Sequence, residues 1–172
     1  MKIRTGFVSN SSSSSFVVLF PSEPQNVDDV KKMLFGDQEE YYGMYDEGGW
    51  STNAVAKTIW NDICDQQKND FEKAKDILSN DYNGPDYDDF SHIEDNNERW
   101  EAYGVALEAY GKKLLKEFFN IRKLKLKKLN NESIEDGTVL YCFEYGDGDS
   151  YGSALEHGDL FEKLKYIKIS NH

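Results

Sequence analysis

The chain has 172 residues, 14% of them aromatic, and its 32 acidic and 20 basic residues give a formal net charge of -12. This balance argues against direct binding to nucleic acid or to an anionic membrane surface, because both kinds of contact depend on Lys and Arg. The length predicts a single globular domain over residues 1–172, and the lack of a long apolar run predicts a cytoplasmic protein without a signal peptide or membrane span.

The N-terminal stretch places five consecutive serines between two runs with strand patterns. Residues 2–8 alternate polar and apolar side chains, and Phe16–Phe20 is unbroken apolar sequence, so we predict a hairpin with an ordered serine run between its strands. The run also offers successive amides and hydroxyls to an anion, although such hydroxyls more often bond neighbouring backbone. The candidate binding residues here are Ser11, Ser12, Ser13, Ser14, Ser15 and Arg4.

The pattern from Lys2 to Phe16 reads Lys-x-Arg-x-Gly-Phe-Val-Ser-Asn, then five serines and Phe. It resembles the N-terminal signature of a group of small uncharacterised proteins of tailed bacteriophages and their prophages. Residues 156–159 and 169–172 are similar to the endings of the same group. The resemblance covers only the two ends of the chain, and it implies a phage source without implying an activity.

A short helix and an aromatic loop follow. Asn26 and Asp29 have the spacing of a helix start, which predicts a helix over Val27–Phe35. Residues 37–50 hold five carboxylates, three tyrosines and no Lys or Arg, without helical or strand periodicity, so a structured aromatic loop is predicted. The candidate binding residues of this loop are Tyr41, Tyr42, Tyr45 and Trp50.

The middle of the chain combines helical patterns with a second acidic loop. Helical spacing extends from a cap at Ser51 or Thr52 to Leu78, either as one helix or as two with a break at Asn69. Residues 81–98 hold seven carboxylates, no Lys or Arg and a Gly-Pro turn. This composition makes the loop the segment that we expect to be disordered.

Apolar side chains then recur every three or four residues over about residues 97–119, which predicts the best-defined helix. A basic run over residues 112–128 follows, ending in a strand-like alternation of Leu and Lys. Residues 138–145 predict a central strand, and residues 165–170 predict a further paired strand. The fold class is therefore α+β, with a largely antiparallel sheet of four or five strands packed by three or four helices.

The sequence contains no complete catalytic set. Residues 148–152 match Gly-x-Ser-x-Gly, but a glycine-rich turn is the stronger interpretation, because only 20 residues follow to supply the partners of a serine nucleophile. Cys64 and Cys142 are expected to be buried free thiols, and no cofactor is predicted. An irregular divalent metal site remains an alternative. Its candidate ligands are Asp147, Asp149, His157 and His172.

The two acidic loops hold 12 carboxylates and five tyrosines, a composition suited to contact with a basic protein surface or to DNA mimicry. A merely solubilising surface is the alternative, and the basic run could neutralise the loops within the molecule or across a homo-oligomer. We expect a non-enzymatic accessory protein of phage origin that binds a host or phage protein in the host cytoplasm. The rival hypothesis is a small metal- or phosphate-dependent enzyme or ligand-binding protein that uses the C-terminal Asp and His residues.

Overall fold

The computed structural model describes residues 13–42, 49–121, 137–146, 155 and 159–171. Within these ranges the chain forms four α-helices, one 3-10 helix and five strands in two antiparallel sheets, which confirms the predicted α+β class. The elements in chain order are β1 (Ser13–Phe20), α1 (Val27–Phe35), β2 (Glu40–Tyr41), β3 (Trp50–Ser51), α2 (Thr52–Cys64), α3 (Phe71–Leu78), the 3-10 helix (Tyr87–Phe90), α4 (Asn96–Ile121), β4 (Val139–Gly146) and β5 (Lys165–Asn171).

Strand β1 is the centre of the larger sheet, whose strand order is β4-β1-β5. Both neighbours are antiparallel to it, so that Phe16 lies opposite Phe143 on one side and Lys168 on the other. Because both edges of β1 are occupied, the predicted hairpin of residues 2–8 with Phe16–Phe20 is wrong; residues 2–8 themselves lie outside the described ranges. The prediction of a paired strand near the C-terminus is confirmed by β5.

Helices cover both faces of this sheet. Alternate β1 side chains point to opposite faces, so Phe16 and Val18 belong to the core formed with α1 and α2, whereas Val17 belongs to the core formed with α3 and α4. Strand β4 contributes buried side chains to both cores in the same way. Residues 138–145 were predicted as a central strand because both faces are apolar, but β4 lies at the edge of the sheet and its two faces are buried by helices.

The first two helices begin differently. The Asn26 side chain accepts a hydrogen bond from the Asp29 amide at 2.9 Å, which confirms the predicted start of α1. Ser51 makes no capping hydrogen bond, and Thr52 is already helical. The Thr52 hydroxyl instead donates to the Gln38 carbonyl at 2.7 Å, which joins the start of α2 to the preceding loop. No helix in the described ranges combines the length and apolar character that crossing a membrane requires.

The connection between α2 and α3 closes the outer edge of β4. An edge strand presents unpaired amides and carbonyls, which are a template for association with other chains. The Asn69 side chain accepts from the Leu140 amide, and the Asn69 amide donates to the Leu140 carbonyl, both at 2.9 Å. The Gln66 side chain accepts from the Cys142 amide at 2.9 Å. Of the two alternatives that the sequence left open, the structure shows two helices with a break that includes Asn69. The three bonds satisfy edge groups of Leu140 and Cys142 that would otherwise be unpaired.

We expect Asn69→Ala to lower the free energy of unfolding by about 2 to 4 kcal/mol, because the Leu140 amide loses its acceptor and alanine strains the left-handed backbone. Asn69 has a φ of 57°, a conformation that Asn tolerates better than Ala. Asn69→Asp keeps the acceptor and Asn69→Gly relieves the strain, so each should lose less than Asn69→Ala. Urea unfolding of the three variants measures this order, and equal stabilities would show that Asn69 does not secure the edge.

Candidate functional site

The described serines of the N-terminal run are strand residues. Ser14 and Ser15 are buried within β1, at 1% and 8% exposure, so they cannot belong to a surface anion site. The Ser14 hydroxyl has no hydrogen-bond partner among the described residues. The prediction of an ordered run is confirmed for Ser13–Ser15. Ser11, Ser12 and Arg4 lie outside the described ranges.

The predicted aromatic loop of residues 37–50 contains a short ladder in which Tyr41 faces Trp50. Both side chains are partly buried against the core, and the ring of Tyr41 lies 5.4 Å from that of Phe35. Tyr42 is 62% exposed, and its hydroxyl donates to the Glu40 carboxylate, a bond that raises the tyrosine pKa. Of the three described candidates, Tyr41 and Trp50 pack against the core, and Tyr42 is the most exposed. Tyr45 lies outside the described residues.

The candidate metal ligands cannot be placed. Asp147, Asp149, His157 and His172 all lie outside the described ranges, as does the Gly-x-Ser-x-Gly segment. Among the residues that the structure describes, no group of three or more His, Cys, Asp or Glu side chains is arranged to hold a metal ion.

The second acidic loop, predicted to be disordered, is folded against the start of α4. It contains the 3-10 helix, which begins with reciprocal side-chain caps. The Asp86 side chain accepts from the Asp88 amide, and the Asp89 side chain accepts from the Asp86 amide, both at 3.1 Å. Hydrogen bonds of this kind, from backbone amides to nearby carboxylates, give the loop amides a partner and can order a segment that buries few aliphatic side chains.

Aromatic rings packed against one another join this loop to α4. The Tyr87 ring lies 4.4 Å from the Trp100 ring at an angle of 32°, and it meets the Tyr103 ring edge-on at 5.6 Å. The Arg99 guanidinium lies 5.7 Å from the Tyr87 ring centre, and its Nε donates to the Ile93 carbonyl at 2.9 Å. These contacts hold the loop to the helix through its aromatic residues and one cation.

Large aromatic side chains on this part of the molecule remain exposed to solvent. Tyr82 is 94% exposed and Trp100 is 58% exposed. Between Lys75 and Lys112 the sequence has one basic residue other than histidine, Arg99. We call this region the acidic aromatic surface. It is formed by Asp81, Tyr82, Asp86, Tyr87, Trp100 and Tyr103.

A cavity of about 490 Å³ opens within the acidic aromatic surface. Its lining includes Asp81, Tyr82 and Tyr103. The Asp81 side chain is held by a residue of α4, because the Tyr110 hydroxyl donates to its carboxylate at 3.2 Å. Burial, and then this hydrogen bond, raise the Tyr110 pKa, so the hydroxyl stays protonated and remains a donor.

A second cavity, of about 360 Å³, adjoins β4 and the start of α3. The Tyr145 hydroxyl donates to the Asp62 carboxylate at 2.7 Å, and Lys73 Nζ lies 3.5 Å from the Glu144 carboxylate. Burial raises the pKa of the Cys142 thiol to about 12, so this thiol is not a nucleophile at neutral pH. Cys142 is buried as predicted, whereas the prediction of burial is wrong for Cys64, which is exposed.

Comparisons with protein-family models, with curated proteins and with solved structures find no match to this chain. The function is therefore inferred from the site and from the sequence. Trp100 and Tyr103 belong to the apolar stripe whose spacing predicts α4, and that spacing did not identify Trp100 as an exposed residue. The sequence feature that could have indicated their position is the aromatic content of this stripe, since the first turns of the helix carry Trp and Tyr where a core helix usually carries Leu or Ile.

Proposed function

We propose that this protein is a non-enzymatic accessory protein of phage origin that binds another protein in the host cytoplasm. The observation that carries the proposal is the acidic aromatic surface, with Trp100 exposed at its edge and its ring packed at a tilt against that of Tyr87. The phage source rests on the resemblance of the two ends of the chain. A binding role is favoured because Trp and Tyr dominate the energetic centres of protein interfaces.

The mutual packing of these aromatic rings favours binding. Trp100 and Tyr103 are already in contact, with ring centres 5.9 Å apart, and both contact Tyr87. A partner would therefore meet side chains whose rotamers are largely fixed, and the entropy lost on association would be smaller than for free side chains. Trp100, which is 58% exposed, would be the member of this group most available to a partner.

The charge of the loop indicates the class of partner. Residues 81–98 carry seven carboxylates without a Lys or Arg, so the surface attracts a basic region and repels an acidic one. Such attraction raises association rates and weakens with salt. A partner whose basic region is a DNA-binding cleft would make the protein a DNA mimic, which is the more specific form of the proposal.

Capture of partners from bacterial host lysate by tagged protein tests the proposal. We expect Trp100→Ala to weaken the captured complex by about tenfold or more, as truncation of an interface centre does, and moderate salt to weaken it further. Val105→Ala is the matched control, because Val105 is an exposed apolar residue of α4, at 64% exposure, outside the acidic aromatic surface.

Equal retention of the partner by both variants, with unchanged thermal melts, would contradict a role for this surface. Failure to capture any protein above background would contradict the binding proposal itself. Release of the partner by added duplex DNA would support mimicry, because DNA and the acidic surface would then compete for one basic cleft.

A further inference from the structure

We propose that the cavity of the acidic aromatic surface receives one cationic side chain, a Lys or Arg, from the partner protein. The inference rests on the proposed function and specifies its central contact. Among the residues that the structure describes, the cavity lining contains two carboxylates, Asp81 and Asp86, and no Lys, Arg or His. A cationic group is the occupant that this lining complements.

The walls of the cavity suit both the methylene groups and the cationic group of a Lys or Arg side chain. Tyr82, Tyr87 and Tyr103 line it together with Pro85 and Leu107. Aromatic rings attract an ammonium or guanidinium group through their quadrupoles, and apolar walls cover the methylene stem. The protein already uses this chemistry beside the cavity, where the Arg99 guanidinium lies 5.7 Å from the Tyr87 ring centre.

The two carboxylates are held in place before any partner arrives. Asp81 Oδ1 accepts from the Asn83 side chain at 3.2 Å, and Asp81 Oδ2 accepts from the Tyr110 hydroxyl at 3.2 Å. At Gly84 an added Cβ would lie 2.9 Å from the Asp81 carbonyl oxygen and 3.3 Å from the Tyr110 ring. Glycine therefore allows the loop to lie against Tyr110, which fixes the Asp81 carboxylate at the cavity.

A side chain fits this site better than a metal ion. Hard metal ions require several converging oxygen ligands. No group of three or more possible ligands occurs among the described residues, and the cavity lining supplies two carboxylates beside aromatic rings. A volume of about 490 Å³ falls in the range that organic groups occupy in protein pockets.

The test is a titration of the full-length protein with N-acetyl-arginine methylamide, followed by NMR of the tyrosine rings. We expect saturable shifts of Tyr82, Tyr87 and Tyr103. The neutral isostere, N-acetyl-citrulline methylamide, should not produce them at the same concentration. N-acetyl-lysine methylamide should bind at the same place if charge and aromatic contact are sufficient.

The variant is the double substitution Asp81→Asn and Asp86→Asn, which removes both charges and leaves one side-chain oxygen at each position. At position 81 that oxygen can accept from Asn83 or from Tyr110, but not from both as the two carboxylate oxygens do. We expect it to weaken binding of the arginine probe by about tenfold, the effect of losing a charge-assisted contact. Glu108→Gln is the control, because Glu108 is an exposed carboxylate of α4 that does not line the cavity. It should leave binding unchanged.

Equal shifts with the citrulline probe, or unchanged affinity in the double variant with an intact spectrum elsewhere, would overturn the inference. An arginine probe that does not bind, while partner capture still depends on Trp100, would overturn the cavity assignment and leave the proposed function standing. A probe that binds while lysate yields no partner would support the cavity assignment and count against the proposed function.

Discussion

Gly111→Ala is expected to destabilise the protein by about 2 to 3 kcal/mol, although alanine is the better helix former. Gly111 lies where α4 crosses α3, and a Cβ at this position would stand 2.4 Å from the Lys75 carbonyl oxygen and 2.4 Å from the Ser79 hydroxyl. The carbonyl is backbone, so it can give way only if α3 moves. The Ser79 hydroxyl would also be displaced, and with it the hydrogen bond that it donates from the end of α3 to the Leu107 carbonyl of α4 at 2.9 Å.

Gly104→Ala is the matched control in the same helix. No described residue would lie within 4 Å of a Cβ at Gly104, so this variant should gain the helical preference of alanine, about 0.5 to 1 kcal/mol. Urea unfolding of both variants measures the two free energies of unfolding. If Gly111→Ala were as stable as Gly104→Ala, the close crossing of α3 and α4 would be wrong.

The sequence predicts those elements of this fold whose signal is local. Helix α1 was predicted at its observed bounds because Asn26 supplies a cap and the apolar residues repeat with helical spacing. Helix α4 was predicted to within a few residues for the same reason of spacing. The strands at Phe16–Phe20 and Lys165–Ser170 were also recognisable from their apolar patterns. Periodicity and capping depend only on residues that are close together in the chain, so they can be recognised without knowledge of the tertiary contacts.

Strand pairing was not predictable in the same way. The partner of Phe16 on one side is Phe143, near the opposite end of the chain. The sequence placed residues 2–8 beside β1 because they are adjacent in the chain, but proximity in sequence does not decide which apolar strands bury each other. Central and edge positions were confused for a related reason, since helices on both faces make edge strand β4 as apolar as a central one.

The sequence predicted an acidic, tyrosine-containing loop over residues 81–98 that could contact a basic surface, but it did not predict how this loop packs against α4, because composition does not record how side chains are arranged. Residues 81–98 have the composition of a disordered segment, yet aromatic ring contacts, carboxylate caps and Arg99 hold the loop against α4. Trp100 and Tyr103 fit a core-facing pattern, but the core side of α4 begins nearer its C-terminus, with buried residues such as Leu115 and Phe118. An aromatic stripe on a helix can pack against a polar loop or against a β-sheet, and its sequence alone does not show which of the two covers it.

The largest effect that we expect is from deletion of residues 165–172, which should unfold the protein or cause it to aggregate. Strand β5 pairs with β1 from Lys165 to Asn171, so its loss uncovers one whole edge of the central strand. Such an edge is a template for association between chains. The deletion also removes Ile169, which is 5% exposed, and Tyr166, whose ring lies 6.4 Å from that of Phe16.

The energies involved support this expectation. Each fully buried side chain of this size contributes about 1.5 to 3 kcal/mol, against a total stability of about 5 to 15 kcal/mol for a domain. Deletion of Asn171 and His172 alone is the control, because it leaves six of the seven β5 residues in place and should preserve the fold. Thermal melts and size-exclusion chromatography compare the two truncations. An unchanged melting midpoint for the longer deletion would mean that β5 does not stabilise the sheet, and a large fall for the shorter one would assign a structural role to the last two residues.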